Sequence, residues 1–162
     1  MGFADSAPGT TLPIFYNVVH AVGKQCPNYP DDVKLVQYLL KAFYEGDVSW
    51  RKPPGEMLVT GECGTTTMNW IIHFQRDVAR AHPGKIALDN RVDRIRNKNF
   101  KGSITNTVYA LGCLNQGVAA HNAKAFAVLP MVVPLANRTN VPPPSTDIVN
   151  PKVVPSSTSG GV

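Results

Sequence analysis

Val59-Thr60-Gly61-Glu62-Cys63-Gly64-Thr65-Thr66-Thr67-Met68-Asn69-Trp70-Ile71-Ile72-His73-Phe74-Gln75 reads as a glycine-bracketed turn feeding a helix. Gly61 and Gly64 allow backbone angles that other residues resist, and the three threonines offer hydroxyls to the orphan amides of a first turn. From Thr67 onward, Trp70, Ile71, Phe74 and Val78 recur at spacings of three and four, the helical period, so that side must be buried. The helix is predicted to end near Ala81, before the stop signal His82-Pro83-Gly84.

Working back toward the N-terminus, Asp31-Asp32 is predicted to cap a helix beginning near Val33, with Val36, Leu39, Leu40 and Phe43 as its apolar stripe and Gly46 just past its end. Between the two helices, Glu45 to Glu56 carries Trp50, Arg51 and Lys52 on a loop. There they either meet a partner or fold back onto the domain. Downstream, Leu88, Val92 and Ile95 predict a short third helix from Asp89 or Asn90 to Arg96. Arg91, Arg94, Arg96, Lys98 and Lys101 make its other side basic, either as a solvated face or as an anion-facing patch.

These residues carry a resemblance. Gly61-x-x-Gly64-x-x-Thr67, then Trp70-Ile71 and Phe74-Gln75, preceded by Val36-Gln37-x-x-Leu40 and followed by Gly84-Lys85-Ile86-Ala87-Leu88, resembles the peptidoglycan-binding-domain-like family over about two-fifths of the chain. The resemblance implies a small three-helix module and a shallow wall-binding groove. Gln37, Thr67 and Gln75 match pattern positions, and Trp50 and Arg51 stand on the lengthened loop beside them. The same positions have a structural reading, threonine as a cap and glutamine as a hydrogen-bonder from helix to turn. Thr60 stands where the family has aspartate and Ala87 where it has a glycine.

The two ends differ in composition from this middle. Residues 1–30 hold Pro8, Pro13, Pro27 and Pro30 with one strand-like run, Ile14 to Val19, and are read as an extended arm whose run docks on the domain or on a neighbour. In 101–129, Thr105-Asn106-Thr107 could cap a further helix through Val108, Leu111, Leu114 and Val118, although Gly112 and Gly117 each cost about 1 kcal/mol against alanine. That helix is expected to stop before Pro130. Residues 130–162, with Pro142-Pro143-Pro144 and a Ser/Gly end, read as an extended tail.

Charge and chemistry narrow the function. The chain has 162 residues, 17% charged and with a net charge of +5, which favours acidic or polyanionic partners without choosing among them. Cys26, Cys63 and Cys113 are an odd set without C-x-x-C spacing, and the four histidines lack ligand spacing, so no metal or other cofactor is expected. No G-x-S-x-G, no phosphate loop ending in Gly-Lys-Ser/Thr and no identifiable carboxylate pair argue for an enzyme. The basic stretch lacks interleaved aromatics, which argues against nucleic acid. No long apolar run predicts membrane insertion, and no signal peptide opens the chain.

The expectation is therefore a mainly α chain. It has a small orthogonal three-helix core at 31–100, a possible fourth helix and long extended arms. Its expected role is that of a non-enzymatic structural component of a bacteriophage particle, located in the virion and bound to neighbouring subunits through the arms. The alternative is a module that binds peptidoglycan at the bacterial cell envelope.

Overall fold

The computed structural model describes residues 1–97, 99–102, 107–137 and 141–142. Its order is β1 (Phe3–Ser6), β2 (Ile14–Asn17), β3 (Val22–Gly23), α1 (Pro30–Glu45), α2 (Thr65–Ala81), β4 (Arg91–Val92), α3 (Ala110–His121) and α4 (Ala123–Val132). Among the described residues, helices carry most of the regular structure, beside two antiparallel two-stranded sheets, β1 with β2 and β3 with β4.

Helix α1 starts at Pro30, whose fixed φ suits a first turn and whose missing N–H costs nothing there. Asp31 and Asp32 lie in that turn, at the positive end of the dipole, but no side chain caps the helix. The cap expected from this pair is lost because Asp32 turns backward. Its buried carboxylate accepts the N–H of Val19 at 3.0 Å and of His20 at 3.2 Å, tying the strand-side loop to the helix end. Val36, Leu39, Leu40 and Phe43 are buried as their spacing requires.

Helix α2 begins at Thr65, its N-cap is Gly64, and no side chain caps it either. The threonine caps predicted from sequence are absent, because Thr67 Oγ1 faces Gln37 and the Glu62 carbonyl instead. Gly61 is required where it stands: its φ is +88°, and an added Cβ would lie 3.1 Å from the Pro30 carbonyl oxygen. Trp70, Ile71, Phe74 and Val78 are buried, and the helix ends at Ala81 with His82 as C-cap.

Three further expectations are corrected. The helix predicted from Asp89 or Asn90 to Arg96 does not form. Asn90 has a left-handed φ of +61°, Arg91 and Val92 pair with Gly23 and Val22, and the Ile95 N–H is taken by Asn17 Oδ1 at 2.9 Å. Val92 and Ile95 are buried while Leu88 is exposed, so the three make no common face. Residues 1–30 are not an extended arm, although the run Ile14 to Val19 does dock on the domain, one of the two places expected for it. β2 pairs with β1 in register Phe3↔Asn17 to Ser6↔Ile14, and its Phe15 and Tyr16 enter the core, Phe15 edge-on to Phe100 at 4.9 Å.

Helix α4 overruns Pro130 and ends at Val132. A proline in the last turn deletes one helical bond, and the Val133 N–H still closes on the Leu129 carbonyl at 3.0 Å. The chain then returns to the N-terminus, where Leu135 bridges Gly2 and the Ala136 N–H reaches the Gly2 carbonyl at 2.7 Å. Thr105, Asn106 and most of the predicted tail, including Pro143 and Pro144, lie outside the described residues.

Candidate functional site

Two glutamines on successive helices act alike. Gln37, buried on α1, accepts the N–H of Thr60 and of Gly61 through Oε1, both at 2.9 Å. Its Nε2 donates toward Glu62 O at 3.0 Å and Thr67 Oγ1 at 2.9 Å. Gln75, buried on α2, accepts the Asn90 N–H at 2.9 Å and donates to Arg91 O at 2.8 Å and Asp89 Oδ1 at 3.1 Å. Each fixes the turn that follows in the chain, and neither amide keeps a group to spare for a ligand. Sequence reasoning missed two relatives of this device. Asn17 Nδ2 donates to Ile95 O at 2.9 Å while its Oδ1 takes the Ile95 N–H. Asn115 brackets Tyr16, accepting its N–H at 2.7 Å and donating to its carbonyl at 2.9 Å. The only signal available was an amide on an otherwise apolar helix face, at Asn115 among Leu111, Leu114 and Val118.

Trp50 folds back, its ring 5.5 Å from that of Phe43 and half-buried, whereas Arg51 is exposed. The Arg51 carbonyl lies 3.1 Å from His73 Nε2, which lies 3.3 Å from Asp77 Oδ2. The Tyr44 hydroxyl donates to the same oxygen at 2.6 Å, and Arg80 pairs with Oδ1. Asp77 is thus a buried carboxylate surrounded by donors, which is why it tolerates burial beside Trp70 and Phe74. Burial first, then the hydrogen bond to Asp77, raises the Tyr44 hydroxyl far above the usual tyrosine range.

A raised folded-state pKa contributes stability that is complete below the unfolded value, near 10, and is lost as pH climbs beyond it. Alkaline titration followed by ultraviolet difference absorbance should therefore show Tyr44 ionising only together with loss of circular dichroism, and in Tyr44→Phe the unfolding free energy should fall less steeply with pH above about 10. Tyrosine ionisation completed before unfolding would contradict this account.

The described arginines of the basic stretch sit in different surroundings. Arg91 Nη2 pairs with Asp93 Oδ1 at 2.9 Å, and Asp93, Cys26 and Asp89 more than offset the effect of burial on its charge. Arg96 is half-buried and its pKa is lowered by burial, with Tyr109 and Asp93 acting against that. Arg94 is buried, its guanidinium 5.1 Å above the Phe3 ring. Lys98 lies outside the described residues. Beside Arg91 a cleft of about 130 Å³ opens, lined by Gln75, Ile86, Asp89, Asp93, Val108 and Tyr109 among others.

No thiol is poised for attack. Burial pushes Cys26 up to about 12 and raises Cys63 and Cys113 as well, so all three stay neutral near pH 7. Among the described residues, no three His, Cys, Asp or Glu side chains gather as a metal site requires, and no helix is long and apolar enough to cross a membrane. No protein-family model, no curated protein and no solved structure matches this chain, so the site is read from its own residues alone.

Proposed function

We propose that this chain is a non-enzymatic structural subunit of a large assembly, with a bacteriophage particle as its setting, and that it meets neighbouring subunits through α4. The observation that carries this reading is an apolar stretch left in the open. Residues 125–136 contain no polar side chain, yet only Leu129 of α4 is fully buried, while Met131 is 78% and Val132 58% exposed. Burying such side chains fully is worth about 1.5–3 kcal/mol each, a modest contact that repetition over many copies would make lasting.

Phe3, Phe15 and Tyr16 are used inside the chain, which moves the proposed contact from residues 1–30 to this helix. The wall-binding alternative finds no such support, because Gln37, Thr67 and Gln75 are spent on turns of their own chain.

The test is sedimentation velocity of the full chain over a wide concentration range, beside Met131→Glu. Self-association that rises with concentration and falls at least tenfold in Met131→Glu supports the reading. A monomer at all concentrations that nonetheless co-sediments with insoluble peptidoglycan in high salt would replace it with the alternative.

A further inference from the structure

Helix α2 turns a single sign of charge to solvent. At the helical step of about 100° per residue, Asn69, His73, Arg76 and Arg80 fall within about 60° of one another, opposite the buried Ile71, Phe74 and Val78. The one acid of the helix, Asp77, is buried and already surrounded by Tyr44, His73 and Arg80. Arg76 and Arg80 are therefore like charges one turn apart with no exposed acid beside them on the helix, whereas a merely solvated helix face usually mixes the two signs.

A second track of cations runs along one edge of this stripe, because the loop from α1 is pinned there. The Trp50 ring lies against Phe43, the Arg51 carbonyl meets His73 Nε2 at 3.1 Å, Pro53 is buried, and Trp70 Nε1 donates to the Pro54 carbonyl at 3.1 Å. The backbone of Arg51 and Lys52 is thus fixed beside His73 while both side chains stay exposed. Among the described residues, no hydrogen bond or ion pair engages the side chains of Arg51, Lys52 or Arg76. The acids between this loop and α2, Glu56 and Glu62, precede the helix, and Arg76 and Arg80 lie in its last turns.

We infer that this surface holds the phosphodiester backbone of duplex nucleic acid without reading its sequence. From Asn69 to Arg80 it extends about 16 Å, a length that several successive phosphates of one strand cover. Arginine forks suit phosphate oxygens. An acidic protein or a lipid surface would call for apolar side chains at the centre of the contact, and the one apolar residue at the margin, Ile72, is half-buried. No aromatic stands on the stripe to stack unpaired bases, which favours a duplex over a single strand. The surface uses other residues than the basic stretch at 91–101, and backbone contact needs no interleaved aromatics. The inference does not depend on the assembly reading.

The test is fluorescence anisotropy of a labelled random-sequence DNA duplex of about 20 base pairs, titrated with the full chain over a series of salt concentrations. The expected plot of log affinity against log salt has a slope of about −3.6, about −0.9 for each of Arg51, Lys52, Arg76 and Arg80. Combining Arg51→Gln, Lys52→Gln and Arg76→Gln should leave a slope of about −0.9 and weaken low-salt binding at least about tenfold. Combining Lys24→Gln, Lys101→Gln and Lys124→Gln, which removes the same charge from exposed positions elsewhere, should change binding by no more than about threefold. Equal weakening in the two variants would reduce the effect to net charge and overturn the surface, as would a parent chain that fails to bind at low salt. Displacement of the duplex by an equal concentration of poly-glutamate charge would overturn it in favour of an acidic protein partner. The last two outcomes are read on the parent chain and hold even if a variant fails to fold.

Discussion

Gln37→Leu is expected to lower the unfolding free energy by about 2–4 kcal/mol, read as a drop in the urea midpoint at unchanged slope. Leucine matches the volume but removes both functions of the amide. The N–H groups of Thr60 and Gly61 lose their acceptor, and the Glu62 carbonyl and Thr67 hydroxyl lose their donor, at a place where Gln37, Gly61 and Thr67 are buried. A buried group left unpaired costs far more than a hydrogen bond contributes net, so the loss should exceed what leucine returns by apolar burial. The turn it releases is the one that sets the entry of α2, with Gly61 at φ +88° beneath it. A residue whose role was to touch an external ligand would behave differently: its replacement would leave the urea midpoint nearly unchanged.

The same substitution marks where the sequence was legible. Helical spacing found α1 and α2 because each buries a continuous stripe against several neighbours, and a stripe is a local pattern. The helix drawn over 89–96 failed for the opposite reason. Its apolar spacing was acceptable, but its backbone groups had non-local partners, Gln75 for Asn90, Gly23 for Arg91 and Asn17 for Ile95. Such partners lie on other elements and leave no trace in the window that is read.

The first strand was hidden likewise, since Ala4-Asp5-Ser6 has little strand character and becomes a strand only because β2 lies beside it. Of the candidate site, the glutamines were visible as pattern positions and their hydrogen bonding to turns was one of the two readings offered. Arg94 was visible only as one charge in a run, because its burial against Phe3 joins residues far apart in the sequence.

Gly117 shows how a local rule can have the wrong sign in its tertiary setting. In an exposed helix interior, glycine to alanine adds about 1 kcal/mol of stability, so Gly117 looks like a weakness of α3. At this position, however, an added Cβ would lie 2.3 Å from Phe43 Cε2 and 2.6 Å from Cδ2, where α3 crosses α1. The Phe43 ring cannot swing away freely: it stands edge-on to Tyr44 and to Phe74, each at 5.1 Å, and against Trp50 at 5.5 Å.

Overpacking of this kind costs about 1–3 kcal/mol, which exceeds the propensity gain. Gly117→Ala should therefore be destabilising by about 1–2 kcal/mol in urea unfolding, while Gln116→Ala, on the exposed side of the same helix, stays within about 0.5 kcal/mol of the parent. The decisive measurement is the double-mutant cycle with Phe43→Leu. Leucine lacks the ring edge that meets the new methyl, so in that background Gly117→Ala should become neutral or stabilising, with a coupling of at least about 1 kcal/mol. If Gly117→Ala were stabilising in the parent chain, α1 and α3 would have to lie farther apart than the structure places them. If it cost the same with and without the Phe43 ring, its effect would have to arise in the helix backbone and not at the crossing.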